Sequence, residues 1–278
     1  MKAAIEQIGP YRVEEKIGTG GMASVFRAVK VGIGGFEHNV AVKVLHPHLA
    51  DDEEFVSMFH AEARLASRLS HPVLVPVNDL GVVEGTHYMA MDLLLGETLA
   101  DLYERFRKKG KPFPRGHALY IMERALDGLH YAHELALEDG SPANIVHRDV
   151  SPRNIFITTS GAVRVVDFGI ARSSGRSRQT RAGIVKGTVP YMAPEQARAQ
   201  DLDRRADLFA AGVLLHHLLT RAIQRHSDGL WPAKRSPIPV SRISIWRCAP
   251  SSRGPWRRGP RIASIQPRIC ATGWKKRV

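Results

Sequence analysis

The sequence predicts an α+β chain in two lobes, a small β-rich lobe followed by a larger helical one. Three observations carry that expectation. Residues 11–92 run mostly in short apolar-polar alternations separated by glycine-containing turns, the period of half-buried strands. From Thr98 onward the period is mostly that of helices, interrupted by brief β-rich runs. No internal repeat is present, so neither lobe is an array.

Taken in order, YRVEEKIG (11–18) alternates, ASVFRAVKV (23–31) is rich in strand formers, and HNVAVKVLH (38–46) alternates around Lys43. DDEEFVSMFHAEARLASRL (51–69) reads as an amphipathic helix whose leading acids suit the positive end of the helix dipole. VLVPVNDLGVVEGTHYMAMDLL (73–94) reads as two strands joined around Glu84 and Gly85. Helices are expected at 98–108, 114–137 and 205–219, with strands at IVHR (145–148), NIFIT (154–158) and VRVVDFG (163–169).

The net charge of +13 is not spread evenly. Residues 221–278 hold 14 Lys or Arg against one acid, Asp228, whereas residues 1–220 hold 26 basic and 26 acidic residues. All four Trp, both Cys and seven of the Pro also lie beyond residue 220. The body before that point therefore cannot hold a disulfide, which suits a reducing compartment. No apolar leader opens the sequence, and no run approaches 18 uninterrupted apolar residues. The expectation is a soluble, cytoplasmic chain with no transmembrane segment.

Several motifs carry chemistry. IGTGGMASV (17–25) places Gly18 and Gly20 between two strands, where a backbone without side chains can approach phosphates and donate N–H groups. A strand follows this loop, which excludes a dinucleotide-binding fingerprint, and alone the stretch is equally an ordinary hairpin. VAVK (40–43) offers Lys43, and the next helix offers Glu62 as an ion-pair partner. Each by itself is an ordinary solvated charge. HRDVSPRN (147–154), DFG (167–169) and APE (193–195) then complete, in order and spacing, the signature set of protein kinases.

Residues 11 to about 220 thus resemble the bacterial branch of the eukaryotic-like (Hanks-type) serine/threonine protein kinases. The resemblance implies a bilobal protein-kinase fold, with an N-lobe of about 11–92 and a C-lobe of about 96–220. It also implies ATP and Mg2+ as cofactors and protein Ser/Thr hydroxyls as acceptors. Ile17, Gly18, Thr19, Gly20, Gly21, Met22, Ala23, Ser24 and Val25 would cover the nucleotide, with Gly18 and Gly20 over its phosphates and Ala23 where the pattern has a third glycine. Lys43 would hold the α and β phosphates, oriented by Glu62. Asp149 would accept the proton of the acceptor hydroxyl, and Asn154 and Asp167 would hold the metal. Val25, Ala41 and Phe156 would grip the adenine, with hinge backbone at Asp92 and Leu94 and with Met91 gating the back. His147 and Phe168 would pack rather than react. Asp207 would brace the catalytic loop, and Gly212 would allow close packing of the central helix.

Two departures from the family stand out. Ser151 occupies the position where serine/threonine kinases usually carry Lys; Arg153 resembles the arrangement in some tyrosine kinases and would supply a cation near the γ-phosphate. Thr188 and Tyr191 in KGTVPYMAPE favour Ser/Thr acceptors. Arg148 is placed to pair with a phosphorylated loop that offers Ser173, Ser174, Ser177 and Thr180; Thr180 is the expected site of autophosphorylation.

The resemblance stops after Thr220, where the family continues with a glycine and amphipathic helices. Residues 221–278 instead form a basic stretch with Pro, Trp and no helical period. A change of reading frame near codon 220 accounts for all these skews together and would leave the C-lobe incomplete. Two other readings stay open: a genuine basic tail that binds nucleic acid or an anionic membrane, or a disordered regulatory segment.

Overall fold

The computed structural model of the chain describes residues 6–168 and 189–220. Gly169, the loop hydroxyls including Thr180, Thr188 and all of residues 221–278 lie outside the described residues, so the expectations placed on them stand as stated.

The first lobe is a six-stranded antiparallel sheet of β1 (Gln7–Ile8), β2 (Tyr11–Thr19), β3 (Ala23–Val31), β4 (Glu37–Leu45), β5 (Val77–Val83) and β6 (Thr86–Asp92), in the order β1-β2-β3-β4-β6-β5. Every strand of this sheet but β1 was expected: β2 and β4 from alternation, β3 from its strand formers, β5 and β6 as two strands joined around Glu84 and Gly85. The pleat explains the two faces of β4, because successive side chains point to opposite sides. Val40, Val42 and Val44 join Tyr11, Ala28 and Tyr88 in one core. Leu45 faces the other way, onto Phe55, Phe59 and Met89. Lys43 shares that second face and stands opposite Val25 on β3 and Met89 on β6.

Helix α1 (Glu53–Ala66) starts where Asp52 accepts a hydrogen bond from the Glu54 N–H at 3.1 Å, with Glu53 and Glu54 in the first turn. Its buried residues, Phe55, Met58, Phe59, Glu62, Ala63 and Ala66, repeat at helical spacing and lie against the sheet. Glu62 is thereby carried to the sheet face that bears Lys43.

The second lobe contains α2 (Leu99–Lys108), α3 (Arg115–His133), a three-stranded sheet of β7 (Gly96–Thr98), β8 (Ile155–Thr158) and β9 (Val163–Val165), the single turn α4 (Pro194–Ala197), and α5 (Arg205–Thr220). Its core joins α3 and α5 through Ile121, Ala125, Leu129, Ala211, Leu214 and Leu218. Gly128 lets α3 meet the chain closely: a Cβ there would lie 2.9 Å from Val73 Cγ1. Gly96 is required on β7, where a Cβ would lie 2.1 Å from the Ile157 carbonyl oxygen.

The structure corrects four expectations. IVHR (145–148) is not a strand, because the N–H groups of His147 and Arg148 both donate to the Asp207 carboxylate, at 2.8 Å each, and so are lost to any ladder. Strand β9 ends at Val165, because Asp167 turns to a φ of 56°. Helix α3 ends at His133, short of residue 137; the chain there doubles back so that Ala136 bridges Pro142. Gly212 does not make a close contact: an added Cβ would meet nothing within 4 Å, because it lies on the open stripe of α5 with Leu208 and Leu219, 50% and 42% exposed. Among the described residues no helix is long and apolar enough to cross a membrane.

Candidate active site

The glycine loop is the turn between β2 and β3. The Gly20 N–H donates to the Ala23 carbonyl at 2.8 Å, and Gly18 pairs with Val25 across the strands. Ile17, Thr19 and Gly21 are exposed, Met22 is half-buried, and Ala23 and Ser24 are buried, Ser24 within 3.1 Å of His46 Nε2. Val25, just after the loop, stands opposite Lys43 in the sheet.

Lys43 is buried and donates to two carboxylates, Glu62 Oε1 at 2.7 Å and Asp167 Oδ1 at 2.9 Å. Burial alone would pull its pKa down; Asp167 and Glu62 overcome this and hold it above the ordinary lysine value. Lys43 in turn holds the Asp167 carboxyl below its usual range against the cost of burial, whereas burial pushes Glu62 up. Glu62 is the sequestered partner and Asp167 the accessible one, with side chains 8% and 48% exposed. Removing Lys43 would leave the Glu62 charge buried without its partner, at about 3–5 kcal/mol.

The catalytic loop is braced from beneath by α5. Asp207, 1% exposed, accepts from the N–H groups of His147 and Arg148 and lies 2.8 Å from His133 Nε2 on α3. Arg148 adopts a φ of 65°, a region that non-glycine residues avoid, and these bonds hold it there. His147 is fully buried, packs on Phe168 with ring centroids 4.6 Å apart, and reaches the Val166 carbonyl through Nε2. Asn154 Nδ2 donates to the Asp149 carbonyl at 2.9 Å, so Oδ1 is the atom that could hold a metal. The Val166 N–H donates to the Asn154 carbonyl at 3.0 Å, tying the loop that bears Asn154 to the segment that bears Asp167. An amide oxygen and a carboxylate are the hard oxygen donors that Mg2+ prefers, so these residues fit that ion.

Ala41 is buried opposite Met91, Val25 and Phe156 are half-buried, Leu94 is half-buried, and Asp92 ends β6 with its carboxylate bonded to Asn78. Lys43, Glu62 and Asp167 are in direct contact, and Asn154 is linked by hydrogen bonds both to Asp149 and to the approach to Asp167. Ser151 is buried, while Arg153 is exposed on the same loop. Three participants were missed by the sequence reading. His133 bonds Asp207 across 74 positions, His217 meets the Tyr191 hydroxyl through Nδ1 at 2.8 Å, and Gln196 bonds the Arg148 carbonyl at 2.7 Å. No motif spacing signals such long-range pairs.

The family model described as "Protein kinase domain" matches residues 11–230. The tyrosine-protein kinase MasK of Myxococcus xanthus is 45% identical over 226 residues, 81% of this chain and 35% of its own. The serine/threonine-protein kinase PknL of Mycobacterium tuberculosis is 37% identical over 211 residues, 76% of this chain and 49% of its own. The crystal structure of the M. tuberculosis PknI kinase domain superposes with a TM-score of 0.62 at 29% identity, covering 87% of this chain and 85% of that one. This chain belongs to the protein kinase domain family. It spans between a third and a half of the length of MasK and PknL.

Proposed function

We propose that the chain is a protein serine/threonine kinase that transfers the γ-phosphate of ATP, with Mg2+, to protein hydroxyls. The observation that carries this reading is the closed Lys43–Glu62–Asp167 network, 2.7 and 2.9 Å, in one fold with an intact Asp149 and Asn154. In this reading Gly18 and Gly20 lie over the phosphates, and Lys43, kept charged by its two carboxylates, holds the α and β phosphates. Asn154 and Asp167 hold the metal, which when bound neutralises charge on the transferring phosphoryl group. Asp149 orients the acceptor hydroxyl and takes its proton. Val25, Ala41 and Phe156 clasp the adenine, with Asp92 and Leu94 as hinge. Arg148 Nε is buried and has no hydrogen-bond partner among the described residues, which supports an incoming phosphate on the loop that bears Thr180.

A second reading, transfer to tyrosine, is favoured by the name of MasK and by Ser151 and Arg153 standing in the catalytic loop. PknL, named a serine/threonine kinase, and the Thr188–Tyr191 segment favour the first. Binding to nucleic acid or an anionic membrane, in either reading, would belong to residues 221–278; the genomic sequence around codon 220 decides whether they are in frame.

The division of labour is tested by two substitutions. Asp149→Asn is expected to abolish transfer while ATP affinity stays near that of the parent, whereas Lys43→Met weakens nucleotide binding as well. Equal loss of ATP affinity in both variants, measured by calorimetry, counts against these roles.

A further inference from the structure

Gln196 belongs to no motif read from the sequence. It follows the APE triplet at the third position of α4, and its Nε2 donates to the backbone carbonyl of Arg148 at 2.7 Å. That carbonyl belongs to the peptide group joining Arg148 to Asp149. The N–H of the same group donates to His147 Nδ1 at 3.3 Å. The peptide plane that leads into the candidate base is thus held at both polar ends, one by a side chain of its own loop and one by a side chain from α4, 48 positions away. Arg148 supplies the reason a clamp is needed, since its φ of 65° is stable only where neighbours over-determine it. Gln196 also shares a small depression with Arg148, Asp149, Tyr191 and Met192, so the clamp lies between the base and the 189–197 segment.

We infer that Gln196 is a positioning residue for phosphoryl transfer: through the Arg148 carbonyl it sets the rotation of the Arg148–Asp149 peptide, and so the direction of the Asp149 carboxylate. This rests on the kinase reading given above. It also makes the setting of the base depend on where α4 lies, which couples the segment after the activation loop to catalysis. The requirement is for a long side chain that ends in a hydrogen-bond donor. Glutamate would face the carbonyl with a second acceptor, methionine has the length without the donor, and lysine has both the reach and the donor.

The test uses Gln196→Met, Gln196→Glu and Gln196→Lys in the full chain, with kcat, ATP KM, melting temperature and hydrogen exchange of segment 145–155. Met and Glu are expected to lower kcat about tenfold, the effect of losing one hydrogen bond that fixes a reacting group. ATP KM stays within about twofold of the parent, since nucleotide contacts are untouched. Melting shifts by no more than a few degrees, and Lys restores most of the turnover. In the Met variant, segment 145–155 exchanges faster while α3 and β4 do not change. Turnover of Met and Glu equal to the parent overturns the inference. So does an equal loss in all three variants, which would make Gln196 a filler of space. A parent that transfers no phosphate defeats the kinase reading separately. Exchange then decides the clamp alone: faster exchange in Met but not Lys supports it, and unchanged exchange overturns it.

Discussion

Replacing Asp207 by asparagine exchanges one carboxylate oxygen for NH2 and tests how the catalytic loop is held. Oδ2 of Asp207 accepts from the His147 N–H and lies 2.8 Å from His133 Nε2, while Oδ1 accepts from the Arg148 N–H at 2.8 Å. Asparagine can keep one oxygen at the Oδ2 position but must then turn its NH2 toward the Arg148 N–H, donor against donor. The variant loses one bond to a charged acceptor, about 1.5–3 kcal/mol, and weakens the others by removing the charge. For a domain of this size that corresponds to a fall in melting temperature of roughly 3–12 °C. The Arg148 conformation, with φ 65°, loses one of its restraints at the same time. Turnover should therefore fall further than the folded fraction does. The assay pairs thermal melting with hydrogen exchange of residues 145–150 and with kcat. Asp207→Ala removes all three contacts and is expected to leave little folded protein, because their sum is of the order of a domain's whole stability, about 5–15 kcal/mol. Asp207→Asn with a melting temperature within about 2 °C of the parent and unchanged exchange at 145–150 would refute the bracing argument.

His217 is buried against Tyr191 and Tyr103, and burial lowers its pKa, with the charge of the neighbouring His216 adding to the effect. The neutral form is thus favoured by folding: the stability it contributes is present above pH 6.5, the ordinary imidazole value, and is lost as pH falls from there toward the lowered folded value. The slope is at most about 1.4 kcal/mol per pH unit, and His217→Asn, which keeps an acceptor for the Tyr191 hydroxyl without titrating there, should flatten it in melting curves taken from pH 7.5 to 5. Ser151→Lys should change kcat less than about tenfold, because in the proposed reading Arg153 supplies a cation near the phosphates; no effect of Arg153→Ala together with a large gain in Ser151→Lys would contradict this.

The sheet lobe was legible because its strands are half-buried and alternate, as in the run from Val40 to Leu45. Helix α1 was legible because Asp52 and the acids after it mark its start and its apolar residues keep one face. The candidate site residues could be picked out because each sits in a short motif whose spacing is set by local geometry: the turn at Gly20, the loop from His147 to Asn154, the turn at Asp167. What stayed hidden depends on partners distant in sequence. IVHR carries the composition of a strand, yet Asp207, some 60 positions away, captures two of its N–H groups. Strand β7 exists because Gly96 can press against Ile157. The clamp by Gln196 joins two loops that no periodicity connects. The faces of helix α5 stayed hidden as well: the fold buries Ala210, Leu214 and Leu218 and leaves Leu208 and Leu219 open.

The central claim is that this chain transfers phosphate from ATP to serine or threonine through Asp149, and one measurement tests it most directly. The purified chain and its Asp149→Asn variant are incubated with γ-labelled ATP, Mg2+ and a mixed protein acceptor, and the labelled products are hydrolysed and separated as phosphoamino acids. The account predicts label in phosphoserine and phosphothreonine from the parent, the chain's own Thr180 included, and none from Asp149→Asn. Label confined to phosphotyrosine, equal label from both proteins, or no transfer by a folded parent that binds ATP would contradict it.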